Sequence, residues 1–221
     1  MSRGGIQGFG VGITPQQFEQ MTSRLGKPGR RTAVPVEGSA ATRSGVGTGE
    51  TPRSVESVIL GIDPSLRGTG WGVVRWGKPG PTMLGYATIR CPGTWSRTRC
   101  LVRIAEGLRQ AIRDHAPTVC AIEGLFFAQN LQTALLMGEA RGVCLLAAAE
   151  AGLEIFELAP RRVKLSVVGF GGAQKSAVAK MVQRRLALSE APEADAADAL
   201  ALALAHGQDG GRYGLGPRKR L

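Results

Sequence analysis

The stretch Val58-Ile59-Leu60-Gly61-Ile62-Asp63-Pro64 decides the fold. Its apolar residues follow one another without a polar interruption and several are β-branched, which is typical of a strand buried on both faces of a sheet. The Asp-Pro step ends the strand. Asp63 is therefore predicted at the carboxyl end of a central strand, where open α/β sheets collect ligands and chemistry. A lone aspartate before proline is also a common turn residue, so Asp63 gains significance only beside further carboxylates.

Composition narrows the class of protein. The chain has 221 residues, with 28 Lys and Arg against 17 Asp and Glu, a net charge of +11. This excess predicts a polyanionic partner such as nucleic acid. We see no secretory signal and no uninterrupted apolar run of the roughly 18 residues that a membrane span needs. The four cysteines are far apart in sequence and the two histidines neighbour none of them, so we expect no zinc site and a cytoplasmic, reducing location.

The chain divides into three parts by composition. Residues 1–54 are rich in Gly, Ser, Thr, Arg and Pro, and we expect a disordered extension. It could be a docking peptide, a basic arm on DNA or the product of an over-long reading frame, and we favour the last. Residues 55–207 are predicted to form one domain, and residues 208–221 a short, solvated basic tail.

Apolar periodicity within the domain predicts an α/β fold with a five-stranded mixed sheet flanked by helices. The expected strands cover residues 58–63, 70–76, 83–90, 118–123 and 153–158, the first three as an antiparallel meander. The expected helices cover residues 96–115, 129–151, 160–168, 174–188 and about 192–207, the last ending at Gly207 as a C-cap. The helix at 129–151 is apolar on more than one face, which favours a subunit interface.

Carboxylates recur where this fold would bring them together. Glu123 ends the fourth strand, as Asp63 ends the first, and Asp195 and Asp198 share one face near the start of the last helix. If that helix packs on the sheet, all four acids meet in one cleft. Their mutual repulsion requires a divalent cation, and ligation by oxygen alone selects Mg²⁺ or Mn²⁺. Two such ions about 4 Å apart would suit phosphodiester hydrolysis.

Four motifs carry a resemblance to a known family. They are ILGIDPSLRGTGWGVV, AIEGLFFAQN, RRVKLSVVGFGGAQKSAVAKMV and ADAADALALALAH, spread over residues 57–207. In this order and at these separations they resemble RuvC, the bacterial Holliday junction resolvase family. The resemblance implies an RNase H-like fold, a homodimer, and Mg²⁺-dependent paired nicks across a four-way DNA junction, with Mn²⁺ able to substitute. It also implies the branch-migration proteins RuvA and RuvB as partners.

The resemblance assigns roles to individual residues. The family's acidic metal ligands fall on the set Asp63, Glu123, Asp195 and Asp198. The implied DNA-binding residues are Phe126, Arg141, Lys164 and Lys175. Phe126 matches an aromatic residue that stacks on a base at the junction, the two lysines match residues at the DNA-facing edge, and Arg141 matches an arginine that touches the DNA backbone or steadies the site. Taken alone, the phenylalanine would be interpreted as core and each charge as solvated surface.

Three other functions compete with this interpretation. The Gly-Ile-Asp-Pro stretch and its glycine-rich turn also resemble the first phosphate loop of sugar kinases and actin-like ATPases, although the chain offers no second such loop. An RNase H-like nuclease acting on RNA or ordinary duplexes would keep the fold and change the substrate. A non-enzymatic DNA-binding module would make the acids structural.

Overall fold

The structure is a computed structural model that describes residues 56–124, 130–209 and 219–221. The described strands are β1 (Ser57–Asp63), β2 (Gly68–Trp76), β3 (Thr82–Arg90), β4 (Val119–Glu123), β5 (Glu154–Leu158) and β6 (Lys219–Arg220). The described helices are α1 (Arg97–His115), α2 (Leu131–Glu150), α3 (Pro160–Val168), α4 (Lys175–Arg185) and α5 (Ala194–Asp209). The predicted extension, residues 1–54, lies outside the described part of the chain.

The strands form one mixed sheet in the order β3-β2-β1-β4-β5-β6. β1, β2 and β3 are an antiparallel meander, whereas β1, β4 and β5 run parallel. This confirms the predicted α/β fold and its mixed sheet. Because β1 and β4 are parallel neighbours, with Ile62 opposite Ile122, their final residues lie side by side at one edge.

Helices cover both faces of the sheet, and neighbouring residues of β1 point to opposite layers. Ile59 belongs to the core formed with α3, α4 and α5, while Leu60 belongs to the core formed with α1 and α2. This alternation explains why β1 is apolar at successive positions, since both of its faces are buried.

Glycines let α5 lie directly on the sheet. A Cβ on Gly61 of β1 would stand 1.9 Å from the carbonyl oxygen of Ala199, and a Cβ on Gly70 of β2 would stand 1.9 Å from that of Asp195. The side chains of α5 that face the sheet are mostly alanine and leucine, and they are buried. The two strands and the helix therefore meet backbone to backbone, which brings the start of α5 to the carboxyl end of β1.

The sheet differs from the prediction at its far edge. We expected five strands and a solvated tail, but Lys219 and Arg220 form β6, which pairs antiparallel with β5. An edge strand offers unpaired backbone groups to any segment that can reach it. Arg220 also forms an ion pair with Glu154, 2.7 Å away, so charge attraction supports the backbone pairing.

The end of α5 also differs from the prediction. Gly207 does not cap the helix, because α5 continues to Asp209. A Cβ on Gly207 would stand 2.3 Å from the Trp76 ring, so this glycine permits close packing on β2.

Among the described helices, α2 is the one whose length and apolar composition would allow it to cross a membrane. Core helices of soluble proteins meet the same criterion. α2 packs against α1, and its Arg141, Cys144 and Ala147 are buried. One face of α2 therefore packs in the core, and the other face is exposed to solvent.

We predict that Gly61→Ala destabilises the protein by about 3 kcal/mol, because α5 must move away from β1 to admit the new methyl group. Urea unfolding measures this change. Gly93→Ala is the matched control, since a Cβ there meets nothing within 4 Å, and it should leave the unfolding midpoint unchanged. Equal midpoints for Gly61→Ala and the parent protein would contradict the close approach.

Candidate active site

Two carboxylates meet where β1 and β4 end. Asp63 is the last residue of β1 and Glu123 the last of β4, and their carboxyl groups share a hydrogen bond. Burial and the neighbouring Glu123 raise the pKa of Asp63 to about 8, from an ordinary value of 3.8. The charge of Asp198 contributes to this increase, whereas the Lys175 ammonium acts to lower the pKa of Asp63. Asp63, Glu123 and Asp198 are therefore close enough to repel one another.

Asp198 and Lys175 form an ion pair beside these two acids. The Lys175 ammonium, at the first position of α4, lies 2.6 Å from Asp198 Oδ2 on α5. This contact raises the pKa of Lys175, with smaller contributions from Asp63 and Glu123. The lysine side chain is largely exposed while Asp198 is largely buried, so the ammonium stands at the rim of the acidic group.

Glu123 and Asp198 open into a cleft of about 130 Å³. Its lining includes Glu123, Asp198, Lys164 and Lys175, together with apolar residues of α3, α4 and α5. Both lysines that the family resemblance selected therefore stand at the same opening as two of the predicted acids. Because these residues come from β4, α3, α4 and α5, long-range packing is what assembles the cleft.

Asp195 lies one turn before Asp198 on α5, at the same edge of the sheet. Its carboxylate faces β2, and Oδ2 lies 2.6 Å from the position that a Cβ on Gly68 would occupy. The acids that raise the pKa of Asp63 are Glu123 and Asp198. The structure thus brings three of the four predicted acids into one electrostatic group and places the fourth beside it.

Arg141 lies in the core rather than at a DNA-facing edge. Its side chain is only 8% exposed. One guanidinium nitrogen donates to the backbone carbonyl of Glu123, and another donates to the Glu157 carboxylate. Of the two roles expected for Arg141, this burial favours the one in which it steadies the site over contact with the DNA backbone.

The remaining predicted residue, Phe126, lies outside the described residues. Sequence reasoning also missed Glu157, which contacts both Arg141 and Lys219. Its signal in the sequence was faint: Glu157 is an acid within the otherwise apolar stretch Ile155–Leu158 of β5.

The acids provide oxygen ligands of the kind that Mg²⁺ and Mn²⁺ prefer. In the described part of the chain, no three side chains of the ligand-forming types already stand in a metal-binding arrangement. Asp63 and Glu123 instead share a hydrogen bond, and Asp198 bonds with the Lys175 ammonium. The proton shared by Asp63 and Glu123 and the ammonium of Lys175 thus offset the negative charge of the acids. A divalent cation would offset the same charge, so the residues present fit such an ion.

Comparison with known proteins identifies the family. Residues 59–206 match the family model described as crossover junction endodeoxyribonuclease RuvC. The RuvC of Proteus mirabilis is 49% identical over 152 residues, which cover 68% of this chain and 86% of that protein. The RuvC of Akkermansia muciniphila is 47% identical over 148 residues, covering 67% and 89%.

A solved structure agrees with the sequence matches. The RuvC of T. thermophilus in complex with a Holliday junction substrate superposes with a TM-score of 0.68 at 33% identity, covering 75% of this chain and 99% of that one. The match confirms the RNase H-like fold and the predicted class of enzyme, an endonuclease that resolves Holliday junctions. This chain belongs to the RuvC family of crossover junction endodeoxyribonucleases.

Proposed function

We propose that this protein is a homodimeric, Mg²⁺-dependent endonuclease that cuts two strands of a four-way DNA junction and leaves 5′-phosphate and 3′-hydroxyl ends. The RuvC family is one of metal-dependent nucleases. The observation that carries the proposal is the group formed by Asp63, Glu123 and Asp198, in which burial and repulsion raise the pKa of one acid to about 8. Carboxylates this close together are stabilised better by a divalent cation than by the single charge of a lysine ammonium.

In this proposal the residues divide into two roles. Asp63, Glu123, Asp195 and Asp198 would hold two Mg²⁺ ions, and Mn²⁺ would substitute. When bound, the ions supply activation of a water for in-line attack and neutralisation of the charge that develops on the departing 3′ oxygen. Lys164 and Lys175 line the cleft and would bind phosphate oxygens of the strand being cut. Phe126 would stack on a base, as the family resemblance implies.

The surface of α2 supports a homodimer. Three leucines on this helix are exposed: Leu131 by 76%, Leu135 by 58% and Leu146 by 52%. They recur at helical spacing and form one apolar stripe together with two glycines, Gly138 and Gly142, beside which a Cβ would meet nothing within 4 Å. An exposed stripe of this kind fits a second copy of the same helix. A two-fold axis would then set two sites against two equivalent strands of the junction.

Further partners follow by analogy. RuvA and RuvB would supply the junction and move its branch point, although no described residue bears on that contact. We place the protein in the cytoplasm, where its four free, buried cysteines would stay reduced. The net charge of +11 would attract the DNA backbone.

The decisive experiment measures cleavage of a synthetic four-way junction with Mg²⁺ and compares it with cleavage of linear duplex DNA and of RNA. A separate assay measures ATP turnover in the absence of DNA. We predict that Asp63→Asn and Asp198→Asn each lower the cleavage rate by about 10³-fold or more, because each bound ion contributes several kcal/mol to the transition state. Junction affinity, measured in Ca²⁺, should be retained or improved as repulsion of the phosphates falls.

Asp114→Asn is the matched control for those variants. Asp114 is an exposed acid on α1, so its neutralisation should leave the cleavage rate unchanged. Equal cleavage of junction, duplex and RNA would remove the resolvase assignment. Undiminished cleavage by Asp63→Asn would make the acids structural, and ATP turnover would favour the kinase-like class.

A second prediction concerns pH and stability. In metal-free protein the free energy of unfolding should fall as the pH rises from about 4 to about 8. Over this range folded Asp63 retains a proton, while the unfolded chain, with a carboxyl pKa of 3.8, has released it. The slope for one such group is at most about 1.4 kcal/mol per pH unit. Urea unfolding in EDTA measures it, and Mg²⁺ at about pH 8 should restore the lost stability.

Matched variants separate Asp63 from the other acids. Asp63→Asn should flatten this part of the pH profile and stabilise the metal-free protein near pH 8, whereas Asp114→Asn should keep the slope of the parent. The assignment fails when Asp63→Asn and the parent lose stability in parallel.

A third prediction concerns assembly. Leu135→Glu places a charge in the exposed stripe of α2 and should convert a dimer into monomers at micromolar concentration, measured by analytical ultracentrifugation. Thr133→Glu adds the same charge at an exposed position of the same helix, about 160° around the axis from Leu135, and should leave the dimer intact. A parent protein that sediments as a monomer, or a Leu135→Glu dimer, would argue against this interface.

A further inference from the structure

A buried arginine holds the backbone of a predicted metal ligand. Glu123 is the last residue of β4, and the next backbone amide, that of Gly124, still donates to the Leu158 carbonyl at 2.9 Å. The carbonyl of Glu123 accepts from the Arg141 side chain on α2. The Arg141 side chain thus satisfies a backbone carbonyl that a neighbouring strand would otherwise satisfy. It does so at the residue whose carboxylate lines the cleft.

Arg141 is in turn held by an acid on the neighbouring strand. Glu157 of β5 accepts a charge-assisted hydrogen bond from the same guanidinium, and its side chain is only 16% exposed. Removing two such charges from water is costly, so the pair is stable only with good geometry and with the remaining polar atoms satisfied. A fully satisfied network of this kind favours a single arrangement of the groups that it joins.

The carboxyl-terminal strand completes the network. Lys219 lies opposite Glu157 in the β5–β6 pairing, and its ammonium is 2.8 Å from Glu157 Oε1. The strand is fixed further by the Leu221 amide, which donates to the Ile155 carbonyl at 3.0 Å. Both oxygens of Glu157 therefore have a cationic partner, one from α2 and one from β6.

We propose that Glu157 and Lys219 are positioning residues for the cleavage reaction. The ion-pair chain from Lys219 through Glu157 to Arg141 fixes the backbone of Glu123, so that β6 takes part in shaping a site formed by other elements. The inference rests on the proposed function, because it requires Glu123 to be a metal ligand. None of the three residues needs to touch the substrate or the metal.

Variants of the full chain test the two ends of this network. Glu157→Gln keeps an oxygen that can accept from Arg141 but removes the charge, and it should lower kcat on a four-way junction by about 10- to 100-fold, as loss of an outer-shell partner does. Mn²⁺ affinity without DNA, measured by calorimetry, should fall in parallel. Junction affinity in Ca²⁺ should not change, since no DNA-facing group is altered.

The exposed end of the network gives a second variant that does not threaten folding. The Lys219 side chain is 67% exposed, and Lys219→Met should lower kcat and Mn²⁺ affinity by about threefold, the effect of one largely solvated ion pair. Lys219→Arg should restore both. Arg220→Met is the matched control, because it removes the neighbouring Arg220–Glu154 pair of the same strand without touching Glu157, and its kcat should equal that of the parent.

Each outcome separates this inference from the proposed function. The inference is overturned when Lys219→Met keeps the parent's kcat and Mn²⁺ affinity, or when it loses only junction affinity, which would make Lys219 a phosphate contact. If Glu157→Gln fails to fold, the Lys219 variants decide alone. Undiminished Mn²⁺ affinity and cleavage in Glu123→Gln would instead reject the proposed function.

Discussion

The contact on which the rest of the structure depends is the backbone approach between α5 and the glycines of β1 and β2. The carbonyl oxygens of α5 occupy space that a Cβ on Gly61 or Gly70 would need. Asp195 and Asp198 are carried on the first turns of this helix, so its distance from the sheet sets their distance from the strand ends. The alanine-rich sequence of α5 and the glycines of β1 and β2 are complementary, since small residues on both surfaces permit the approach. Packing therefore determines the electrostatics of the site.

The close approach of α5 to the sheet brings carboxylates together, and their mutual repulsion must be offset by positive charge. Asp63 is half-buried beside Glu123 and near Asp198, and its pKa is raised to about 8. The Lys175 ammonium bonds with Asp198 and offsets part of this repulsion from the rim of the cleft. A divalent ion would offer more charge than the ammonium, and it would act from among the acids rather than from one side. The acids that would bind the proposed cation thus destabilise the metal-free fold, a common compromise between stability and activity.

Local sequence patterns predicted the parts of the site that depend on local structure. The apolar run at β1, the acid at the end of β4 and the three-residue spacing of Asp195 and Asp198 are all visible in short windows. The network around Arg141 was not, because it joins Glu157 to Lys219, which is 62 residues away, through an edge strand that the tail itself forms. A two-residue strand has no periodicity to detect, and a single arginine in an apolar helix does not reveal whether it faces solvent. For that reason the sequence left open whether Arg141 touches the DNA backbone or steadies the site.

The two faces of α2 link the acidic site to the proposed dimer. One face turns Arg141 inward to the Glu123 backbone, and the opposite face presents Leu131, Leu135 and Leu146 outward. A helix of 20 residues is stiff on this scale, so a partner that packs on the leucine stripe would also constrain the residue that holds Glu123. In a two-fold dimer both sites would inherit the same constraint. The spacing of two cuts on a junction would then follow from the packing of α2 against its own copy, rather than from recognition of the DNA at each site separately.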